Sequence, residues 1–227
     1  MRILAIDTAL DACATALFDS TSSTVLAQQS DAMKRGHAEA LMPMIARMMA
    51  QAQCRFTDLD RIAVTTGPGS FTGLRVGISA ARGFALAANV VAVGVTTLAA
   101  FAAARPGPAP VLAAIDARHG WVYFQIAAGD GTLLAPPLAA PIDVAIRAAQ
   151  SAAPLHLVGN AADLLAQRWG ADHAPPLSVE SRCAPDIGLV ARLGAAADPP
   201  RAPPRPFYLR PPDATPAPPS FAPVADP

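Results

Sequence analysis

The first hundred residues combine short apolar runs with segments of helical periodicity. Turns rich in Asp, Ser and Thr separate the first three runs, as in an antiparallel meander. The predicted strands are 2–6, 13–18, 25–29, 62–66 and 90–95, and the predicted helices are 37–53 and 74–88. The pattern therefore predicts the element order β-β-β-α-β-α-β.

A similar order follows the proline-rich stretch 105–110, which cannot continue a helix because proline lacks the amide donor. The predicted strands are 111–115, 121–127, 132–134, 155–158 and 177–180, and the predicted helices are 142–150, 161–169 and 185–197. Ala5-Ile6-Asp7 in the first half also matches Ala114-Ile115-Asp116 in the second. We therefore predict an α/β protein with a duplicated ribonuclease-H-like fold, the two-lobed architecture of the actin, sugar-kinase and Hsp70 class.

This pattern predicts three segments. They are an N-terminal lobe at 1–104, a C-terminal lobe at 105–210 and a proline-rich tail at 211–227. From Pro199 onward the chain holds 12 of its 24 prolines, and we expect the tail to be disordered. Within this region only the apolar patch 207–209 is expected to dock on the folded part.

Composition narrows the class of protein. The chain has 227 residues, of which 52% are hydrophobic and 15% charged, and its formal net charge is zero. Nothing global therefore attracts it to nucleic acid or to an anionic membrane. The three cysteines have no spacing typical of a disulfide framework or a zinc site, which favours a reducing cytoplasm. We expect neither a signal peptide nor a membrane span.

The glycine-rich loop 67–73 lies between a predicted strand and a predicted helix. Such a loop can bring main-chain amides and the positive end of a helix dipole to an anion. The candidate residues of this anion or nucleotide cleft are Asp7, Thr8, Gly69, Ser70 and Thr72. The alternative is a tight structural turn. Asp7 and Asp116, at equivalent strand ends, are either ligands of magnesium-bound water or turn residues.

Other chemistry has weak support in the sequence. The four histidines have no metal-ligand spacing, so we predict no metal and no cofactor. Ser70 and Thr72 have no visible histidine or lysine partner that would make either a nucleophile.

The two long helices of the first half are apolar over a wide arc. In 37–53 this arc spans roughly 160°, more than a one-sided surface helix requires. We interpret the two helices as a protein–protein interface and predict partner contacts at Leu41, Met44, Ile45, Met48, Val76 and Ile78. A charge introduced at Met48 or Ile45 is then expected to disrupt binding. The alternative is a thick internal core.

Six segments of this sequence resemble the TsaB family. They are 3–9, 35–39, 67–75, 94–98, 114–118 with 122–123, and 206–210 with 212–213. The run Gly67-Pro68-Gly69-Ser70-Phe71-Thr72-Gly73-Leu74-Arg75 is highly specific, and the segments occur in the family's order.

The resemblance implies a non-catalytic subunit in the synthesis of threonylcarbamoyladenosine in tRNA. It implies pairing with the threonylcarbamoyltransferase TsaD, addition of the ATPase TsaE to that pair, a homodimer when the protein is alone, and contact with tRNA only through the complex. TsaD-like members carry His-x-x-x-His, whereas the equivalent positions here are Thr97 and Phe101. Only Gly159 with Asn160 remains of the adenosine site. The alternative is an enzyme acting alone, either a peptidase of the M22 class or a nucleotide hydrolase.

Overall fold

A computed structural model describes residues 1–200 and 202–210. In the first half the elements are β1 (Arg2–Asp7), β2 (Ala12–Asp19), β3 (Thr24–Ala32), α1 (His37–Gln51), β4 (Arg61–Gly67), α2 (Phe71–Ala88), β5 (Val91–Thr96) and α3 (Thr97–Ala102). In the second half they are β6 (Val111–Asp116), β7 (Trp121–Ala127), β8 (Leu133–Pro141), α4 (Ile142–Ser151), β9 (His156–Val158), α5 (Ala162–Gln167), β10 (Ser178–Glu180) and α6 (Ile187–Ala196).

The two halves have the same sheet topology. The strand order is β3-β2-β1-β4-β5 in the first sheet and, read from its other end, β8-β7-β6-β9-β10 in the second. In each sheet the first strand pairs antiparallel with the second and parallel with the fourth. The predicted duplicated α/β fold is therefore confirmed. The residues that match in sequence, Asp7 and Asp116, end equivalent strands.

Helices α1 and α2 cover one face of the first sheet. Leu41 and Ile45 of α1 and Leu74 of α2 belong to the same buried cluster as Leu4 and Ile6 of β1. Helix α1 lies mainly against β2 and β3, and α2 lies mainly against β4. Ser70 begins α2, since its hydroxyl accepts a hydrogen bond from the Gly73 amide at 3.3 Å, and Asn89 ends it in the left-handed conformation. Burial of the apolar stripe of each helix fixes its orientation.

Helix α6 covers the other face of the first sheet, which corrects the assignment of 105–210 to a single C-terminal lobe. Val190 and Ala191 of α6 pack with Ile3, Ala5 and Val93. The reason is that β1 and β4 are apolar on both faces, and a sheet of this kind needs helices on both sides. The first half supplies α1 and α2 on one face only, so the chain returns to cover the second.

The segment 202–210 also lies on the first half. The Phe207 amide donates to the Thr66 carbonyl at 2.7 Å, and the rings of Tyr208 and Phe71 stack with centroids 5.3 Å apart. Leu209 packs against the core beneath α1 and α2. The predicted docking of 207–209 is confirmed. The predicted disorder of 211–227 lies outside the described residues.

Two elements differ from their predictions. Helix α3 was not predicted; it follows β5 directly, is capped by the Thr96 hydroxyl, and packs against β6 and β7 of the second sheet. Strand β8 extends well beyond the predicted 132–134 despite Pro136 and Pro137. It can do so because it is an edge strand, where a missing amide donor is tolerated. Among the helices of the described residues, none is both long and apolar enough to cross a bilayer.

Candidate functional site

Asp7 ends β1 in a completely buried position. Its Oδ1 accepts hydrogen bonds from the Thr65 hydroxyl at 2.5 Å and from the Ala9 amide at 2.9 Å, whereas Oδ2 has no hydrogen-bond partner. Burial raises the pKa of this carboxyl, against the opposing effects of the two hydrogen bonds and of nearby His37. Asp7 is therefore an internal carboxyl whose pKa lies above its ordinary value, and it does not face solvent.

Thr8 and the glycines of the 67–73 loop pack directly against each other. The Thr8 hydroxyl donates to the Gly73 carbonyl at 2.7 Å, and the Ser70 amide donates to the Ala9 carbonyl at 2.7 Å. A Cβ at Gly73 would lie 2.0 Å from the Thr8 carbonyl oxygen, and one at Gly69 would lie 2.3 Å from that of Ala9. Close main-chain packing thus requires these glycines, which favours the structural-turn alternative.

The five residues of the predicted cleft therefore do not line one cleft together. Asp7 and Thr8 are buried, whereas Ser70 and Thr72 are exposed and line a separate cleft of about 360 Å³. The opposite wall of this cleft is the segment 34–39, where His37 Nε2 lies 3.0 Å from the Leu10 carbonyl oxygen. Sequence reasoning did not place 34–39 here, although Arg35-Gly36-His37 belongs to one of the motifs that carry the resemblance.

Asp116, the counterpart of Asp7, is exposed and engaged in turn geometry. Its Oδ1 accepts from the Arg118 amide at 2.8 Å, and its own amide donates to Asn160 Oδ1 at 2.9 Å. The first interaction belongs to the turn between β6 and β7, so the turn alternative accounts for the Asp116 carboxylate. The second joins the end of β6 to the segment between β9 and α5, and this is the role that Asn160, expected only as a remnant of an adenosine site, has here.

Five of the six predicted partner contacts lie in the chain's own core. The side chains of Leu41, Met44, Ile45, Met48 and Ile78 are at most 3% exposed, and Val76 is half-buried. This corrects their assignment to a partner, and the internal-core alternative holds for them. The physical reason is that the first sheet buries most of the apolar arc of both helices.

The solvent side of the same two helices nevertheless carries large apolar groups. We call this surface the two-helix face. Met42 is 53% exposed, Phe71 41% and Leu86 85%. The members of the two-helix face are Glu39, Met42, Ala46, Arg47 and Ala50 of α1 and Phe71, Arg75, Ser79, Arg82 and Leu86 of α2. Large apolar side chains that remain exposed to solvent are typical of a protein-binding site.

Phe71 links this face to the C-terminal segment. The Arg75 guanidinium carbon lies 3.6 Å from the centroid of the Phe71 ring, which also stacks on Tyr208. Tyr208 is 43% exposed, so this aromatic pair extends the two-helix face at the start of α2. Aromatic and arginine side chains are the residues most enriched at binding hot spots.

The positions corresponding to His-x-x-x-His are occupied by residues unable to bind a metal. Thr97 and Phe101 lie in α3 and are completely buried, and the Thr97 hydroxyl oxygen has no hydrogen-bond partner. Across 1–200 and 202–210, no group of three or more His, Cys, Asp or Glu side chains could hold a metal ion. Thr97 and Phe101 therefore pack between the two sheets and do not form a set of metal ligands.

The repeated strand order, the helices on both faces of the first sheet and the closed glycine loop define a duplicated ribonuclease-H-like protein. A family model described as "TsaD: tRNA N6-adenosine threonylcarbamoyltransferase" matches residues 24–170. The chain belongs to this family, and within it to the TsaB group.

Relatives with curated sequences place the chain more closely. It is 43% identical to the tRNA threonylcarbamoyladenosine biosynthesis protein TsaB of Escherichia coli K12 over 127 residues, which are 55% of this chain and 54% of that protein. The match thus spans about half the length of that relative. An uncharacterized protein of Mycobacterium tuberculosis H37Rv is 34% identical over 216 residues, 94% of each chain.

Solved structures agree with this placement. YeaZ from Pseudomonas aeruginosa is 28% identical, with a TM-score of 0.73 over 86% of this chain and 91% of that one. An uncharacterized protein from the same organism, described as similar to peptidase YEAZ, is 26% identical, with a TM-score of 0.76 over 92% and 99% of the two chains. The likeness thus covers both sheets.

Proposed function

We propose that this protein is a non-catalytic subunit in the synthesis of threonylcarbamoyladenosine in tRNA, and that it binds and activates the transferase TsaD through the two-helix face. The observation that carries the proposal is the apolar solvent side of α1 and α2, where Met42, Phe71 and Leu86 are exposed. Burial of such a surface against a partner is favourable by about 25 cal/mol for each Å² of apolar area.

A non-catalytic role is supported by the residues at the positions that the resemblance singles out, because these side chains are either buried or already engaged in hydrogen bonds. Thr97 and Phe101 replace the paired histidines and are buried in α3. The Ser70 hydroxyl is engaged as a helix cap, and Asp7 is sealed from solvent. Activation of TsaD by docking requires none of these residues to react.

The remaining roles follow from the same proposal. TsaE joins the pair formed with TsaD, and tRNA is reached through the assembled complex in the cytoplasm. The zero net charge of the chain fits a subunit that does not bind tRNA by itself. The exposed remnant of the predicted anion site, Ser70 with Thr72, faces the cleft beside 34–39 and is not required for this function.

The test is reconstitution of tRNA modification with the TsaD and TsaE of the same organism, ATP and an enzyme that supplies threonylcarbamoyl-adenylate. Threonylcarbamoyladenosine is measured by mass spectrometry of digested tRNA. We expect the modification to require this chain and to be lost with Met42→Glu/Leu86→Glu. Val144→Glu is the matched control, because Val144 is also an exposed apolar residue, 38% accessible, but lies on α4. Modification that proceeds equally without the chain would overturn the proposal.

An enzyme acting alone has less support. A peptidase or nucleotide hydrolase needs an activated nucleophile or water, and the described contacts of Ser70 and Asp7 provide neither. Assays of the purified chain for peptide and ATP hydrolysis distinguish the two functions. Activity that disappears with Asp7→Asn would favour the enzyme.

A further inference from the structure

The turn between β6 and β7 has an unusual main-chain conformation. Arg118, His119 and Gly120 follow one another with φ values of 62°, 51° and 77°. Left-handed conformations are uncommon for residues other than glycine, and two such residues side by side have an energetic cost that other contacts must offset. We call residues 116–121 the Arg118 hairpin. Strain that is retained in an exposed turn is typical of a turn whose side chains have a function.

Four hydrogen bonds hold the Arg118 hairpin in this conformation. The Ala117 amide donates to the Trp121 carbonyl at 3.0 Å, and the Trp121 amide donates to the Arg118 carbonyl at 3.0 Å. The Arg118 amide donates to Asp116 Oδ1 at 2.8 Å, and the first residue of α4 donates its amide to the Gly120 carbonyl at 3.0 Å. The main chain of the hairpin is therefore organised in advance, so a ligand loses little affinity to ordering it.

The two side chains at the tip of the hairpin are exposed and form no ion pair. Five ion pairs occur among residues 1–200 and 202–210, and none of them includes Arg118 or His119. The Asp116 carboxylate accepts from the main-chain amide of Arg118 and does not pair with its guanidinium. The Arg118 guanidinium is thus available to an anion, and the His119 imidazole is available to a partner that stacks or forms hydrogen bonds.

A second arginine is held beside the hairpin by an aromatic ring. The guanidinium carbon of Arg210 lies 5.2 Å from the centroid of the ring of Trp121, which is half-buried. Arg210 ends the described C-terminal segment 202–210, which contains two arginines and no acidic residue. We call Arg118, His119, Trp121 and Arg210 the basic hairpin surface. It is a local concentration of positive charge around an aromatic ring in a chain that has no net charge.

We infer that the basic hairpin surface binds a single-stranded part of an RNA, with its arginines at the phosphates and with His119 and Trp121 beside an unstacked base. Unpaired bases stack on aromatic rings and on guanidinium planes, and arginine forms two-pronged hydrogen bonds with phosphate. The Arg118 hairpin contains no aliphatic side chain larger than alanine, so it lacks the apolar centre that a protein interface has. The combination of charge and rings therefore favours RNA.

This inference rests on the proposed function, under which the RNA is the tRNA bound by the assembled complex. It adds which residues of this chain contact that tRNA. A surface of this size binds weakly by itself, which agrees with a chain that does not bind tRNA alone. Within a larger site, each phosphate contact made to a single strand adds about 0.7 to the slope of log affinity against log salt.

The test uses the complex of the full chain with TsaD of the same organism and unmodified tRNA. Binding is measured by fluorescence anisotropy of labelled tRNA between about 50 mM and about 200 mM salt. We expect Arg118→Asn/His119→Asn to weaken binding by about fivefold or more at low salt. The salt slope should fall by about 0.7, because one phosphate contact is lost. Asparagine tolerates the left-handed conformation, so the turn is retained.

Two further variants complete the test. Arg210→Gln removes the second arginine without altering the main chain of the hairpin, and it should also weaken binding and lower the salt slope. The matched control is Arg147→Asn, because Arg147 is an exposed arginine of α4, which covers the other face of the second sheet. It should bind tRNA as wild type does.

The outcomes separate this inference from the proposed function. If the complexes form normally and all variants bind tRNA with the affinity and salt slope of wild type, the inference is overturned and the proposed function stands. A loss in Arg147→Asn as large as in Arg118→Asn/His119→Asn also overturns it, because net charge alone would then explain the effect. Unchanged tRNA binding with loss of TsaE binding would make the surface a protein site and overturn the inference. Modification that does not require the chain, with no complex between it and TsaD, overturns both.

Discussion

Arg61 donates from one guanidinium nitrogen to the Gly194 carbonyl oxygen at 2.9 Å, a hydrogen bond that joins β4 to the end of α6 across 133 residues of sequence. The same nitrogen lies 3.2 Å from the Ala195 carbonyl oxygen and 2.6 Å from that of Ala197. These carbonyls belong to the last turn of α6 and to Ala197, which caps it, where a positive charge is favourable. Arg61 thus fastens the helix that covers the second face of the first sheet.

We expect Arg61→Ala to destabilise the protein by about 2–3 kcal/mol, because it removes charged hydrogen bonds and leaves buried carbonyls without a donor. Hydrogen exchange should increase first in α6 and in the face of β1 beneath it. Denaturant unfolding measures the total effect. The control is Arg147→Ala, which removes an exposed arginine and should change stability by about 0.5 kcal/mol or less. Equal stability of Arg61→Ala and wild type would show that α6 does not depend on this contact.

Met48 lies on the buried side of α1 and Met42 on its exposed side, so substitutions at these two positions test the orientation of the helix. Met48 is 2% exposed, so Met48→Glu places an unpaired carboxylate in the core and should cost about 3–5 kcal/mol. Met42 is 53% exposed, so Met42→Glu should leave the unfolding midpoint almost unchanged while weakening partner binding. Thermal unfolding and binding are measured on both. Loss of stability in Met42→Glu as large as in Met48→Glu would contradict the assigned orientation of α1.

Two glycines of α2 should respond to alanine in opposite directions. A Cβ at Gly73 would lie 2.0 Å from the Thr8 carbonyl oxygen, so Gly73→Ala forces the loop away from the β1–β2 connection and should cost about 3 kcal/mol. At Gly83 a Cβ would meet no heavy atom within 4 Å, so Gly83→Ala should stabilise the helix by about 0.5–1 kcal/mol. The measurement is the urea concentration at the unfolding midpoint of each variant and of wild type. A Gly73→Ala chain as stable as wild type would mean that the loop is not packed as described.

Asp7 should make stability depend on pH in an unusual direction. Burial raises its pKa above the ordinary value of 3.8. At pH values between the unfolded and the folded pKa, the folded state therefore binds more of this proton than the unfolded state does. The contribution of Asp7 is therefore most favourable below the unfolded pKa and declines as pH rises from there toward the folded pKa. Asp7→Asn retains an acceptor for Thr65 and Ala9 and should remove this decline.

The measurement is the difference in unfolding free energy between Asp7→Asn and wild type at successive pH values. This difference should move in favour of Asp7→Asn as pH rises above 4, by no more than about 1.4 kcal/mol per pH unit, the limit for one proton. A difference independent of pH would indicate that Asp7 has the same pKa in the folded and unfolded states. A difference that moves in favour of wild type as pH rises would indicate that the hydrogen bonds of Asp7 lower its pKa by more than burial raises it.

The elements of this fold could be predicted because strands and helices differ in the period of their apolar positions. Alternating or continuous runs identified β1, β4 and β6, and the period of a helix identified α1 and α2. Duplication could be predicted because Asp7 and Asp116 end equivalent strands. The strand order supports the same conclusion, since it repeats in the second sheet.

The location of α6 could not be predicted from its own sequence, because an apolar helix does not indicate which sheet it covers. The continuous apolar run of β1, buried on both faces, was the available signal. The partner contacts were misplaced for a related reason. Apolar side chains nearly surround α1 and α2, so the pattern could not distinguish Met48, which faces the sheet, from Met42, which faces solvent. The closed packing of Gly73 on Thr8 depends on main-chain distances that no residue pattern reports.

The return of α6 to the first sheet has a consequence for how this protein is made. During synthesis, β1 through β5 leave the ribosome long before Ile187 is translated. Until then, one side of the first sheet remains uncovered. That side, which includes Ile3, Phe18 and Val93, becomes covered only when almost the whole described chain has emerged. The first half is thus an unfinished intermediate during synthesis, and a truncated product that lacks α6 is a natural substrate for chaperones and proteases.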